Sequence, residues 1–100
     1  MVDLKELQKK VVENKIEKGF NVEDINLEFN LAYGELSEAF EAYIYKKDDL
    51  GEELADVVIY ILGISEILGI NLEEQLLKKI AKNKKRKYFV RDGKWQKAEG

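Results

Sequence analysis

Apolar side chains recur every three or four residues through about the first 85 residues of the chain, which is the pattern of amphipathic α-helices. The pattern predicts four helices joined by short loops. Each predicted start is an Asp or Asn that can cap a helix N-terminus, and the predicted end of the first helix, Gly19, is suited to a left-handed turn. The predicted limits are Asp3 to Gly19, Asn21 to Lys47, Asp48 or Asp49 to Gly69, and Asn71 to Arg86.

The third predicted helix differs from the others because it is apolar nearly all round. From Leu54 to Ile64 it reads LADVVIYILGI, and Asp56 is the only charge in that stretch. Such a pattern predicts a helix enclosed by its neighbours. A carboxylate in that environment is strongly disfavoured unless it is paired, protonated or bound to a metal ion, so Asp56 is a candidate functional residue.

Beyond the helices, Asp92-Gly93 separates two short β-prone runs and predicts a hairpin. Helices joined by loops of a few residues pack against each other in antiparallel fashion. The predicted fold is therefore all-α: an antiparallel four-helix bundle followed by a short C-terminal β-hairpin or extended tail, with residues 1–100 as a single domain.

Composition narrows the chemistry that this fold can perform. The 100 residues include no cysteine and no histidine, which excludes thiolate nucleophiles, Ser-His-Asp triads and the usual zinc sites. A chain of this length has a marginal core, so we expect a homo-oligomer. The first residues form no apolar signal region, and no segment has transmembrane length, so we expect a cytoplasmic protein without a membrane partner.

Two pairs of acidic residues stand out from the other acids by their helical positions. Glu35 and Glu38 are three residues apart on the second predicted helix, on a stripe of small residues, and Glu53 and Asp56 have the same spacing on the third. Four carboxylates facing one another repel strongly unless a cation lies between them. Oxygen ligands favour hard ions, Mg²⁺ first and Mn²⁺ second, and the chemistry this indicates is metal-assisted attack on phosphorus.

Positive charge is concentrated at the other end of the chain. Residues 1–77 contain 7 Lys or Arg against 18 Asp or Glu, whereas residues 78–100 contain 10 against 2. On the fourth predicted helix, Lys79, Asn83 and Arg86 share one stripe. Two cations and an amide in this arrangement can follow a polyphosphate, with the arginine as a bidentate donor.

Taken together, these motifs resemble the MazG-like, all-α nucleoside triphosphate pyrophosphohydrolases. The family's ExxE and ExxD metal motifs are matched by Glu35-Leu36-Ser37-Glu38 and Glu53-Leu54-Ala55-Asp56, and its KxxxNxxR arrangement by Lys79, Asn83 and Arg86. The resemblance covers about residues 24–88.

The resemblance implies Mg²⁺-dependent hydrolysis of a (deoxy)nucleoside triphosphate to the monophosphate and pyrophosphate, with a housecleaning role in the nucleotide pool. It implies that Glu35, Glu38, Glu53 and Asp56 bind the metal ion and that Glu38 also orients the attacking water. The basic stripe is expected to contact the phosphates. Family members are dimers or tetramers whose bundles are shared between chains, in agreement with the marginal core.

Three other hypotheses remain open at this point. Phosphoribosyl-ATP pyrophosphohydrolases share the acidic helices, but they usually continue past the aspartate with a histidine-containing stretch that this chain lacks. A non-catalytic helical module could bind nucleic acid through the basic segment, although it has no use for a charge such as Asp56 inside an apolar helix. A structural bundle could pair the acids with lysines of neighbouring helices.

Overall fold

The computed structural model describes residues 2–97 and contains four helices followed by an antiparallel hairpin. The predicted all-α class with a C-terminal β-hairpin is confirmed. The limits of the elements are α1 Leu4–Glu17, α2 Ile25–Ile44, α3 Leu50–Ile67, α4 Leu72–Lys85, β1 Tyr88–Arg91 and β2 Lys94–Lys97.

Three of the four helix starts follow from side-chain capping, whereas Asp49, the residue before α3, makes no capping hydrogen bond with its side chain. Asp3, Asp24 and Asn71 each accept a hydrogen bond from the backbone N–H three residues further on, at 3.2, 3.1 and 3.1 Å, which satisfies a donor that the helix itself leaves unpaired. The predicted start of α2 at Asn21 is wrong. Asn21 lies in the preceding turn, where its Oδ1 accepts from the N–H groups of Glu23 and Asp24 and so organises the entry into the helix.

Left-handed backbone ends three of the helices and closes the hairpin. Gly19 and Gly69, each two residues after the last residue of α1 or α3, have φ of 73° and 71°, as the sequence predicted for Gly19. Lys46 takes the same conformation after α2, with φ of 53°. In the hairpin Asp92 and Gly93 both have positive φ, so the two-residue turn is of the type that matches the twist of the strands.

Packing within the chain centres on α3, which lies between α1 and α2, while α4 packs against α1. Helix α2 approaches α3 through its small residues, and Ala39 and Ala42 are each only 2% exposed. On α3, Gly63 allows α1 to come close, since a Cβ there would lie 3.3 Å from Val11 Cγ1. No helix within the described range is both long and apolar enough to cross a membrane.

Much of the apolar surface of the single chain is exposed, and the expectation that α3 is enclosed is wrong for it. Helix α3 is not enclosed, because only its segment from Leu62 to Ser65 is buried, while Leu54 and Val58 are about half exposed. The large apolar face of α2 also points outward, with Phe40 at 62% and Tyr43 at 67% exposure. The reason is geometric: α2 uses its narrow stripe of small residues against α3, and this leaves the bulky side chains on the opposite side.

A buried glutamine joins α1 to the turn between α3 and α4. Gln8 is 1% exposed, and its Nε2 donates to the Ile70 carbonyl at 2.8 Å and to Glu66 Oε1 at 3.3 Å. Its Oε1 accepts from the N–H of Leu72, the first residue of α4, at 3.0 Å. One side chain thus satisfies three groups: one in the last turn of α3, one in the turn that follows and one at the start of α4.

Replacing Gln8 with alanine is therefore expected to lower the free energy of unfolding by about 2–4 kcal/mol, because it leaves buried partners unsatisfied and opens a cavity. The exposed neighbour Lys9 provides the matched control, and Lys9→Ala is expected to change stability by less than about 0.5 kcal/mol. Urea denaturation of both variants measures the difference. Equal effects of the two substitutions would show that Gln8 does not join these elements.

Candidate active site

The two acidic pairs predicted from the sequence lie on facing helices. Glu35 and Glu38 are on α2, and Glu53 and Asp56 are on α3, which runs back along α2 after the short connection between them. One carboxylate oxygen from each of Glu35, Glu38 and Glu53 lies within 4.8 Å of the others. We call these three residues together with Asp56 the acidic cluster.

Asp56 takes a more open position than its sequence context suggested. It is exposed, and it is not one of the three residues whose oxygens converge. Its charge nevertheless contributes to raising the pKa of both Glu35 and Glu53, after partial burial and the closer charge of Glu38. Asp56 is therefore within electrostatic reach of the other three acids, at the open side of the cluster.

Burial and mutual repulsion characterise the inner part of the cluster. Glu35 Oε2 and Glu53 Oε2 are buried and have no hydrogen-bond partner among residues 2–97. Partial burial, followed by the charge of Glu38, raises the pKa of each of these two carboxyl groups above the ordinary value of 4.5. Glu38 is exposed, and one of its carboxylate oxygens lies within 4.8 Å of an oxygen of each of them.

These features fit a hard divalent cation. Every donor in the cluster is a carboxylate oxygen, which suits Mg²⁺ or Mn²⁺, and a cation would satisfy the two buried oxygens that lack partners. None of the ion pairs in the described part of the chain joins the cluster to a lysine or arginine. The structural hypothesis, in which the acids are salt-bridged to lysines of neighbouring helices, is thus not supported within the chain.

The raised pKa values predict how the metal-free protein responds to pH. A carboxyl group whose pKa is raised in the folded state binds more protons when folded, so its contribution to stability is lost as pH rises through that pKa. The melting temperature without divalent cations is therefore expected to fall as pH rises from 4.5 towards neutrality. Histidine does not contribute to this window because the chain has none.

Thermal unfolding followed across this pH range, with a chelator and then with Mg²⁺, tests the expectation. Glu53→Gln is expected to flatten the pH dependence, whereas Glu52→Gln, at the exposed neighbouring position, is expected to leave it in place. A melting temperature that rises over the same range in the metal-free protein would contradict the raised pKa values of Glu35 and Glu53.

Next to the cluster lies a second group of polar residues, which sequence reasoning did not bring together. Lys15 of α1 forms an ion pair with Glu28 of α2 at 2.5 Å, and the side chains are 12% and 1% exposed. Asn21 Nδ2 donates to the second Glu28 oxygen at 3.1 Å, and the Lys15 ammonium lies 5.1 Å from the ring centroid of Tyr60 on α3. The signal for Glu28 was its position seven residues before Glu35, on the same helical stripe.

The basic stripe of α4 forms a separate cluster. Arg86 donates from Nη1 to Asn83 Oδ1 at 3.4 Å, and the Arg86 guanidinium is the main cause that lowers the pKa of Lys79. The three predicted residues Lys79, Asn83 and Arg86 are thus neighbours, as their spacing indicated. In the described part of the chain no hydrogen bond or ion pair connects them to the acidic cluster.

Four helices, two of which carry the ExxE and ExxD carboxylates on facing sides, define an all-α domain of the MazG type. The model of the MazG nucleotide pyrophosphohydrolase domain matches residues 25–90, well over half of the chain, and the chain belongs to this family. The family implies a nucleotide pyrophosphohydrolase activity, and its members generally use divalent metals. No curated protein matched the chain, and no solved structure did. Helix α1, with Lys15, lies outside the matched range.

Proposed function

We propose that this protein hydrolyses (deoxy)nucleoside triphosphates between the α and β phosphates, and that it requires Mg²⁺, with Mn²⁺ as a substitute. The observation that carries the proposal is the convergence of three carboxylates within 4.8 Å, two of them with buried oxygens that lack partners, in a domain of the MazG family. Asp56 completes the set of four ligands. A divalent cation at this position supplies charge that attracts phosphate oxygens and lowers the pKa of an attacking water.

Within the cluster, the residues take different roles because they differ in exposure. Glu35 and Glu53 are half-buried and act as fixed ligands. Glu38 has an oxygen within 4.8 Å of both yet is exposed, so it is the carboxylate that can also accept a hydrogen bond from water approaching from solvent. We therefore assign to Glu38 the orientation of the attacking water and the acceptance of its proton.

The basic stripe supplies the other half of the proposed site. Lys79, Asn83 and Arg86 present two cations and an amide to the β and γ phosphates, which leave together as pyrophosphate. The guanidinium is suited to bind two phosphate oxygens at once, and Asn83, which contacts it, fixes its orientation.

We also propose that the protein works as a homodimer or homotetramer. The fully buried apolar side chains among residues 2–97 are only Ala39, Ala42, Leu62 and Ile64, while large apolar residues of α2 and α3 are exposed. An open apolar groove of about 590 Å³ also runs between α1 and α3 beside Val58. Light scattering coupled to size exclusion tests this, because a mass of 11.6 kDa would contradict it and a two- or fourfold multiple would support it.

Product analysis tests the proposed reaction. The protein is incubated with each common NTP and dNTP plus Mg²⁺, and the products are separated by anion exchange. We expect equal amounts of monophosphate and pyrophosphate, no turnover with a chelator, and a preference among the substrates that reveals which of the common nucleotides the protein removes. Release of orthophosphate alone, or binding of nucleic acid without turnover of any nucleotide, would contradict the proposal.

A further inference from the structure

The ion pair between Lys15 and Glu28 lies beside the acidic cluster but belongs to neither half of the proposed site. Glu28 is seven residues before Glu35 on the same face of α2, which places it two helical turns, or about 10 Å, along the helix. Lys15 comes from α1, and its aliphatic stem packs against α3, where a Cβ on Gly63 would lie 3.8 Å from Lys15 Cδ. The ion pair therefore joins α1 to α2, and its lysine packs against α3.

Tyr60 connects this pair to the acidic cluster. Its ring lies under the Lys15 ammonium at 5.1 Å, and it follows Asp56 by one helical turn on α3. After burial, the charges of Glu28, Glu35 and Asp56 are the main causes that raise the pKa of Tyr60, so the side chain is within reach of both groups. The side chain of Tyr60 thus neighbours both the Lys15 ammonium and the acidic cluster.

A buried ammonium at this place is a problem for a cation site unless it is neutralised. The four acids have no basic partner among the described residues, and a lysine that lost its own partner would place an uncompensated positive charge near them. Glu28 prevents this with both of its oxygens, because one is paired with Lys15 and the other accepts from Asn21, which fixes the carboxylate in place. Two opposite charges held together present almost no net charge to a neighbouring site.

We infer that Glu28 is a positioning residue for the metal site: it retains and neutralises Lys15, and so keeps the ammonium from competing with the divalent cation for the acidic cluster. This inference rests on the proposed function only in that the cluster binds a divalent cation. It concerns a pair with one member on α1, outside the part of the chain that the family match covers.

Mn²⁺ binding to the full chain, followed by the electron paramagnetic resonance signal of free Mn²⁺, tests the inference without recourse to activity. Glu28→Gln keeps the size of the side chain and an acceptor for Asn21 but leaves Lys15 charged. We expect its Kd for Mn²⁺ to rise about tenfold, the effect of one uncompensated charge at about 10 Å from a divalent ion in a medium between protein and water. The exposed Glu23→Gln changes the net charge equally and is expected to leave Kd within about twofold.

The double variant Lys15→Met/Glu28→Gln distinguishes charge from packing. It removes both charges, so Kd is expected to return to within about twofold of the parent value, whereas a pair that merely supports the fold would leave binding weakened. If Glu28→Gln alone does not fold, the double variant still decides, because a tenfold loss of affinity in it would overturn the inference. An unchanged Kd in folded Glu28→Gln would also overturn it, whereas a parent protein that binds no Mn²⁺ would overturn the proposed metal dependence instead.

Discussion

Replacing Glu53 with glutamine is expected to abolish nucleotide hydrolysis and, at the same time, to raise the melting temperature of the metal-free protein. The first effect follows from the loss of a cation ligand. We expect kcat/KM to fall at least about 100-fold, which is more than the loss of a residue that only hydrogen-bonds to a metal ligand costs. The second follows because Glu53 is half-buried beside Glu38 and its Oε2 lacks a partner among residues 2–97, so its charge opposes folding.

The neighbouring acid provides the matched control for this experiment. Glu52 is exposed in the same turn of α3, and Glu52→Gln is expected to change neither activity nor the melting temperature appreciably. Steady-state kinetics and thermal unfolding with a chelator are measured on both variants. A fall in the melting temperature of Glu53→Gln would indicate instead that the carboxylate is held by a stabilising ion pair, as in a purely structural bundle.

Substitution of Arg86 by alanine is the second change for which we expect a large effect. If the guanidinium binds two phosphate oxygens, its loss removes two charge-assisted hydrogen bonds, and kcat/KM is expected to fall by about 100-fold. Arg86→Lys keeps the charge but not the bidentate geometry and is expected to recover only part of the activity. Metal affinity is expected to be unaffected, since Arg86 has no contact with the acidic cluster within residues 2–97.

Lys84 provides the control for general electrostatic attraction. It is exposed in the last turn of α4, close to Arg86 in sequence but outside the stripe that Arg86 shares with Lys79 and Asn83. Lys84→Ala is expected to reduce kcat/KM by no more than about threefold at physiological salt. Equal losses in Arg86→Ala and Lys84→Ala would show that the segment acts through its net charge and not through a defined phosphate site.

Local sequence signals predicted the helices and the hairpin well, because caps and turns depend on neighbouring residues. Asp3 and Asn71 cap helices through side-chain hydrogen bonds, and Asp92-Gly93 forms the two-residue turn, all as their residue types indicate. The spacing of Glu35, Glu38 and Glu53 was sufficient to bring their oxygens together, since two helices joined by a short loop place facing stripes side by side.

Burial was harder to predict, because it depends on which of several faces of a helix meets a neighbour. Phe40 and Ala39 are adjacent on α2, and hydrophobicity alone favoured the larger side chain as the core residue, whereas close approach to α3 requires the smaller one. Lys15 and Gln8 are polar residues on the same stripe of α1 as Leu4 and Val11, four or three residues apart. That interruption of an apolar stripe was the available sign that both side chains are buried with partners.

The most direct test of the central claim, that the acidic cluster holds the cation which acts on a nucleotide, is a crystal structure with Mn²⁺ and a triphosphate whose α–β bridge resists hydrolysis. We predict anomalous density at about 2.0–2.3 Å from oxygens of Glu35, Glu38, Glu53 and Asp56, with the phosphates between that density and the side chains of Lys79 and Arg86. Anomalous density elsewhere, with the four carboxylates unoccupied and the nucleotide held by other residues, would contradict it.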